Sequence, residues 1–110
     1  MKINILGTEY EIKRQTAKEN CKLDDASGIC EVYSKEIIID TSAKDDKMAF
    51  NKIDDFFHKV LRHEGFHAIF AEAGASQYME DETLVDMLAM LYPRIKVIME
   101  QLDNAEIESI

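Results

Sequence analysis

Long apolar runs are missing from this 110-residue chain. No uninterrupted stretch approaches the roughly 20 residues that carry a helix across a bilayer, so a soluble protein is expected. The first residues, Met1 to Gly7, alternate polar and apolar side chains and lack the apolar core and cleavage site of a signal peptide. Export is therefore unsupported and a cytoplasmic location is expected. Cysteine is scarce: Cys21 and Cys30 are the only two, too few for a disulfide framework, and in a reducing compartment both are expected as free thiols without a role. Positive charge is in deficit as well, with 13 Lys and Arg against 22 Asp and Glu and a net charge of −9. Residues 75–110 hold only Arg94 and Lys96 against eight acids. Nucleic acid and anionic membranes are thus not expected as partners, and the acidity itself reads as an ordinary solvated surface. Linkers, internal repeats and low-complexity segments are also lacking, which leaves a single domain over residues 1–110. That length supports one modest core but not two large lobes around a cleft, so any active site must lie on a small, open scaffold.

What is present begins with two stretches of period two. Ile3 and Ile5, then Tyr10 and Ile12, alternate with polar residues around Gly7-Thr8 and predict two short strands joined by a turn. Residues 29–33 and 36–40 flank Ser34-Lys35 and predict a second hairpin. Its second strand contains Ile37-Ile38-Ile39, the most β-branched run of the chain, and is expected to be largely buried. The connection over residues 41–47 offers Thr41, Ser42 and Asp45 as helix caps. From Ile53 the period changes to about 3.6. Phe56, Phe57, Val60, His63, Glu64, His67 and Ala71 share one helical face, while Asp55, Lys59 and Arg62 fall opposite or to the side. Gly74 supplies a stop signal, and residues 75–80 read as a loop. A second helix is expected from Asp81-Glu82-Thr83 to about Tyr92, where Pro93 can break or kink it before a third amphipathic stretch with Ile95, Ile98, Met99 and Leu102. The expected class is α+β: hairpins forming a short sheet, then one long helix and two further ones.

Within the first helix, residues 63–67 read His-Glu-Gly-Phe-His. In an HExxH segment the two histidines are one turn apart on the same face and can reach one ion, while the glutamate between them points at a metal-activated water. Random placement would give this pattern in on the order of one chain in a hundred of this composition. Catalytic zinc commonly has three protein ligands and an open position, so a third ligand is needed. Phe70 and Ala73 stand where a metzincin has Gly and His, which excludes that class. His58, the only other histidine, lies roughly 140° around the helix from His63 and is expected to be exposed. Glu82 is the best remaining candidate because the loop before it lets the chain double back. Glu80 and Asp81 are alternatives, and so is a plain pair of solvated acids at a helix start. Asp86, one turn beyond Glu82, is placed to accept the outer ring N–H of a ligating histidine.

The segment His63-Glu64-Gly65-Phe66-His67 followed by residues 82–89, Glu-Thr-Leu-Val-Asp-Met-Leu-Ala, resembles the HExxH…ExxxD arrangement of gluzincins. More narrowly it resembles the short phage and prophage metallopeptidases grouped with ImmA/IrrE-like peptidases. Residues 28–40 and the segment 82–95 with its Pro93 are similar to those proteins too, so the resemblance spans about residues 26–95. It implies a zincin-like fold, zinc held by His63, His67 and Glu82, Glu64 as general base, and a peptide or protein substrate. It also implies that the strand before the active-site helix lies at the cleft edge, where an extended peptide pairs with it. The chain is similar in size to the minigluzincins, whose carboxy-terminal segment can block the cleft; residues 103–110 are the segment that would do so here, against the ordinary expectation of a frayed acidic terminus.

The expected activity is zinc-dependent peptide hydrolysis, with Glu64 taking a proton from the metal-activated water and passing it to the leaving amine. Tyr78 is the nearest candidate for a second oxyanion donor. Phe56, Phe57, Phe66 and Phe70 read as core, with one of them available to line a subsite, and the six methionines read as core fill. The competing expectation is a non-catalytic zinc-binding regulatory or interaction domain of phage origin. Glu64 separates the two, because a purely structural zinc centre has no use for a base beside the metal.

Overall fold

A computed structural model describes residues 1–42 and 53–108. Strand β1 (Lys2–Ile5) turns through Leu6 and Gly7 into β2 (Thr8–Gln15), and the two pair antiparallel with Ile3 opposite Tyr10. Leu6 (φ 52°) and Gly7 (φ 93°) both have positive φ, as a two-residue primed turn demands. The turn thus sits one residue earlier than Gly7-Thr8, and the Asn4 side-chain oxygen accepts the Gly7 N–H at 2.8 Å. A short 3₁₀ turn, Cys21–Leu23, precedes β3 (Gly28–Glu31) and β4 (Glu36–Asp40), which pair antiparallel.

The two hairpins do not simply lie side by side. β4 inserts between β2 and β3, parallel to β2, giving the order β1-β2-β4-β3. Strand β2 is long because its first half pairs with β1 and its second half with β4. Burial on both faces of β4 explains its composition: Ile37, Ile38 and Ile39 are all buried, as expected for a continuous apolar run in an internal strand. The strand immediately preceding the first long helix in sequence is therefore interior. The sheet edge on that side is β3, a correction to the expected arrangement. Ser42 donates its N–H and its hydroxyl to Asp40 Oδ1, while the proposed cap Asp45 lies outside the described residues.

Helix α1 (Ile53–Glu72) crosses the sheet. Ala68, fully buried, sits in the cluster with Ile5, Tyr10 and Ile37, ringed by Ile3, Ile12, Cys30 and Leu61. The core is therefore β-branched and aliphatic, with Tyr10 as its one buried aromatic, and the phenylalanines of α1 are only half-buried. Beyond Glu72 the Ala75 N–H bonds to the Phe70 carbonyl at 2.8 Å and Gly74 has φ 75°, a Schellman ending in which glycine avoids the left-handed penalty. Residues expected as loop then form one helical turn, α2 (Ser76–Met79).

Helix α3 (Glu82–Asp103) runs without interruption through Pro93, so the expected break there is absent. Leu84, Leu88, Leu91, Ile95, Ile98 and Leu102 follow each other at spacings of three and four on both sides of the proline, and an apolar stripe kept in phase favours one continuous helix over two. Val85 and Ala89 are buried, whereas Val97, Ile98, Met99 and Leu102 are exposed. The described residues contain no helix long and apolar enough to cross a membrane.

An ionic clamp holds the far end of α1 to the sheet. Glu72 accepts hydrogen bonds from Lys35 Nζ (2.6 Å), Tyr10 Oη (2.7 Å) and Thr8 Oγ1 (2.8 Å). A carboxylate at a helix C-terminus is disfavoured by the dipole, and these three donors more than offset that. Above all the lysine, then the two hydroxyls, pull the Glu72 carboxyl down from 4.5 to about 2. Burial and the bond to Glu72 push the Tyr10 phenol above its usual range. Because the folded pKa of Glu72 is depressed, its contribution to stability is complete above the ordinary glutamate range and fades as pH falls from about 4.5 to about 2. Glu72→Gln is expected to lower the melting temperature at neutral pH and to flatten the acid-induced loss in that window, measured by thermal melts from pH 7 to 2.

Candidate metal centre

Helical spacing brings His63 and His67 together. One turn apart on α1, their rings lie with centroids 5.0 Å apart and their Nε2 atoms 3.3 Å apart. Glu82 comes from the start of α3, held there by Asp81, whose carboxylate caps the helix by accepting the Leu84 N–H at 3.0 Å. Its two oxygens reach both rings, Oε2 to His63 Nε2 at 3.0 Å and Oε1 to His67 Nε2 at 3.1 Å. Three donors at 2.0–2.1 Å around a tetrahedral ion are separated by about 3.3 Å. The observed separations of 3.0–3.3 Å therefore fit a zinc-sized ion, and the three form a group able to hold a metal. The same separations suit either N–H donation from the two imidazoles to the two Glu82 oxygens or a cation held among the three groups.

Of the alternatives to Glu82, Asp81 is committed to the helix cap, and Glu80 lines the cleft without joining the three-donor group. Asp86 Oδ1 stands 3.4 Å from His63 Nδ1, the ring nitrogen that faces away from the donor group. His58 is exposed and donates its Nδ1–H to the Asp54 carbonyl at 2.7 Å.

Glu64 is buried, only 7% exposed, and lines the same cleft as the three donors. Burial pushes its carboxyl above the usual range, with His67 and His63 pulling it back and Glu82 adding to the rise. A carboxylate so placed binds a proton more readily than a solvated one, as a general base requires. The cleft has a volume of about 600 Å³. Its walls are α1, the 26–30 segment running into β3, and the α2–α3 junction.

Two residues of the cleft were missed from the sequence, and a candidate donor lies outside it. Gly28 lies where β3 passes against α1: an added Cβ would stand 2.6 Å from a Val60 methyl carbon and 3.0 Å from Glu64 Cγ. The only sequence signal was a glycine opening a strand. Lys59, assigned to the flank of α1, lines the cleft one turn before His63, and its i, i+4 spacing to that histidine was the available signal. Tyr78, the candidate oxyanion donor, is 48% exposed, packs on Phe70 at 6.0 Å between centroids and does not line the cleft, in line with the ordinary reading of a partly buried tyrosine. The α2 residues that do are Met79 and, just beyond, Glu80. Phe56 is the phenylalanine at the cleft wall.

Both thiols are free. Cys21 is exposed, while Cys30 lines the cleft and is pushed up to about 12, chiefly by burial and then by the nearby Glu64 charge. None of residues 103–108 lines the cleft, and Ile107 is 81% exposed. Blockage by that segment is therefore not what the described residues form. No protein-family model matches the chain, and neither a curated protein nor a solved structure matches it.

The close approach at Gly28 has a measurable consequence. Gly28→Ala is expected to cost about 1–3 kcal/mol through overpacking and to displace Glu64. Gly65, with open space around its Cβ position, is expected to gain up to about 1 kcal/mol as Ala in a helix interior. Chemical denaturation of the two variants checks the pair, and the opposite ranking would contradict the packing described.

Proposed function

We propose that the chain is a small zinc-dependent peptidase of gluzincin type, similar to the ImmA/IrrE-like phage metallopeptidases and the minigluzincins, with a zincin-like fold. The observation that carries this reading is the convergence of His63, His67 and Glu82 within hydrogen-bonding distance of one another, beside a buried Glu64 in the same open cleft. His63, His67 and Glu82 would hold the metal, and Asp86 would fix the orientation of the His63 ring. Zinc bound there supplies Lewis-acid activation of water and of the substrate carbonyl.

The chain's own residues account for the rest. Glu64 accepts the proton of the attacking water; its raised pKa, set by burial, makes it basic enough to do so and acidic enough to pass the proton to the departing amine. Strand β3 offers its free edge to the cleft: among the described residues nothing pairs with it on the side away from β4. An extended peptide laid along that edge gains main-chain hydrogen bonds without regard to its sequence. Gly28 keeps β3 close enough to α1 for such a peptide to lie over Glu64.

The competing reading, a non-catalytic zinc-binding regulatory or interaction domain, draws on the exposed apolar end of α3. It gives Glu64 nothing to do, and a buried carboxylate kept without purpose costs stability.

Metal and base are separable by experiment. Zinc is expected to bind at one equivalent and, at a hundredfold excess over its dissociation constant, to stabilise the fold by about 2.7 kcal/mol. Glu82→Ala should abolish most of that gain, and zinc content equal to the parent protein would remove Glu82 from the ligand set. Glu64→Gln should retain zinc and lose at least about a hundredfold in cleavage of an unfolded protein. Undiminished cleavage by that variant would rule out Glu64 as the base.

A further inference from the structure

The cleft lining carries charge of both signs from different elements. Glu80, Glu82 and Asp86 come from the start of α3 and the residues just before it, Lys59 from α1 and Lys22 from the 3₁₀ turn. In a chain of net charge −9, lysines at a cleft call for an explanation. Lys22 is neutralised, its Nζ lying 2.5 Å from Glu31. Lys59 is exposed and forms no ion pair with any described residue. Phe56 and Val60 line the same cleft, and the exposed Lys59 ammonium is available to a group that enters it.

We propose that Lys59 is a specificity-determining residue, selecting peptide substrates with an acidic side chain on one side of the scissile bond; this rests on the peptidase reading of the centre. The geometry sets the distance. Lys59 precedes His63 by one helical turn, about 6 Å along the axis, and its side chain, standing partly across that axis, adds about 1–4 Å to the reach along it. At about 3.3 Å per extended residue, the ammonium meets a side chain two or three positions from the bond being cut. An acid brought instead near Glu80 and Asp86 is repelled, so the two signs of charge favour one direction for such a peptide. The expected discrimination is about three- to tenfold, since a solvent-exposed ion pair contributes modestly, and it weakens as salt shortens the screening length.

The test uses the full-length, zinc-loaded protein and two probes. A degenerate decapeptide library is digested and its products sequenced by mass spectrometry. In parallel, fluorescein-labelled decapeptides with one Glu stepped through the sequence, and their Gln counterparts, are titrated by anisotropy against zinc-loaded Glu64→Gln. The expected result is enrichment of Asp and Glu at one position two or three residues from the cut, lost in Lys59→Met and changed to Lys and Arg in Lys59→Glu. For a chosen acidic peptide the loss falls on KM rather than kcat, and the Glu peptide binds three- to tenfold tighter than its Gln partner. Cleavage without acidic enrichment, or enrichment unchanged in Lys59→Glu, overturns the role of Lys59 and leaves the peptidase reading intact. Absence of cleavage together with Glu-selective binding that Lys59→Glu abolishes removes the peptidase reading and upholds recognition by Lys59. If neither cleavage nor any difference between Glu and Gln peptides is seen, the proposal is overturned.

Discussion

The contact of α1 with the sheet governs the rest of the structure. Ala68 has no side chain beyond Cβ, so the helix can settle onto Ile37, Ile5 and Tyr10, and Gly28 lets the edge strand come as near from the side. Those small residues bring Glu64 out of water and bring β3 to the rim of the cleft. Larger side chains at either position would hold helix and sheet apart, and with that separation would go both the desolvation of Glu64 and the strand edge beside it.

Two polar systems sit at different distances from this contact and do different work. At the end of α1, Glu72 gathers Lys35, Tyr10 and Thr8 into a satisfied cluster that ties helix to sheet. In mid-helix, His63, His67 and Glu82 turn their donors toward one point, and Glu64 is buried with its pKa raised rather than lowered. The first cluster is compensated within the chain, while the second is a set of electron-pair donors facing one another. Of these four groups Glu64 and His67 are buried, whereas Glu82 is largely exposed at the mouth of the cleft. Lys59 is exposed at the same cleft.

Much of the site was legible because helical geometry is local. The four-residue step from His63 to His67 puts both rings on one face wherever the helix sits, and the capping preference of Asp81 locates the start of α3 and hence Glu82. The strands over residues 2–5 and 36–40 were readable for the same reason, from alternation and from the isoleucine run. Readings failed where non-local packing outweighs a local signal. Pro93 is a helix breaker by local preference, yet the apolar stripe on either side stays in phase and the helix continues. Residues 75–80 read as a loop, yet 76–79 form a helical turn that packs the Tyr78 ring onto Phe70. The phenylalanines of α1 resembled a core in composition, whereas the buried volume was taken by residues of the sheet.

Chain order could not reveal that β4 would enter between β2 and β3, because strand pairing is decided by contacts between segments far apart in sequence. That insertion makes β3 the free edge and carries residues 26–30 to the cleft. The grouping of two imidazoles and a carboxylate able to hold a metal was written in spacing along one helix and the start of the next. What surrounds it arose only on folding: the strand edge, the close approach at Gly28, and a lining that gathers Lys59 from one helix and Glu80, Glu82 and Asp86 from around the start of another. Ligand spacing depends on a helical repeat that every sequence shares, while the shape and charge of a cleft depend on which distant surfaces meet.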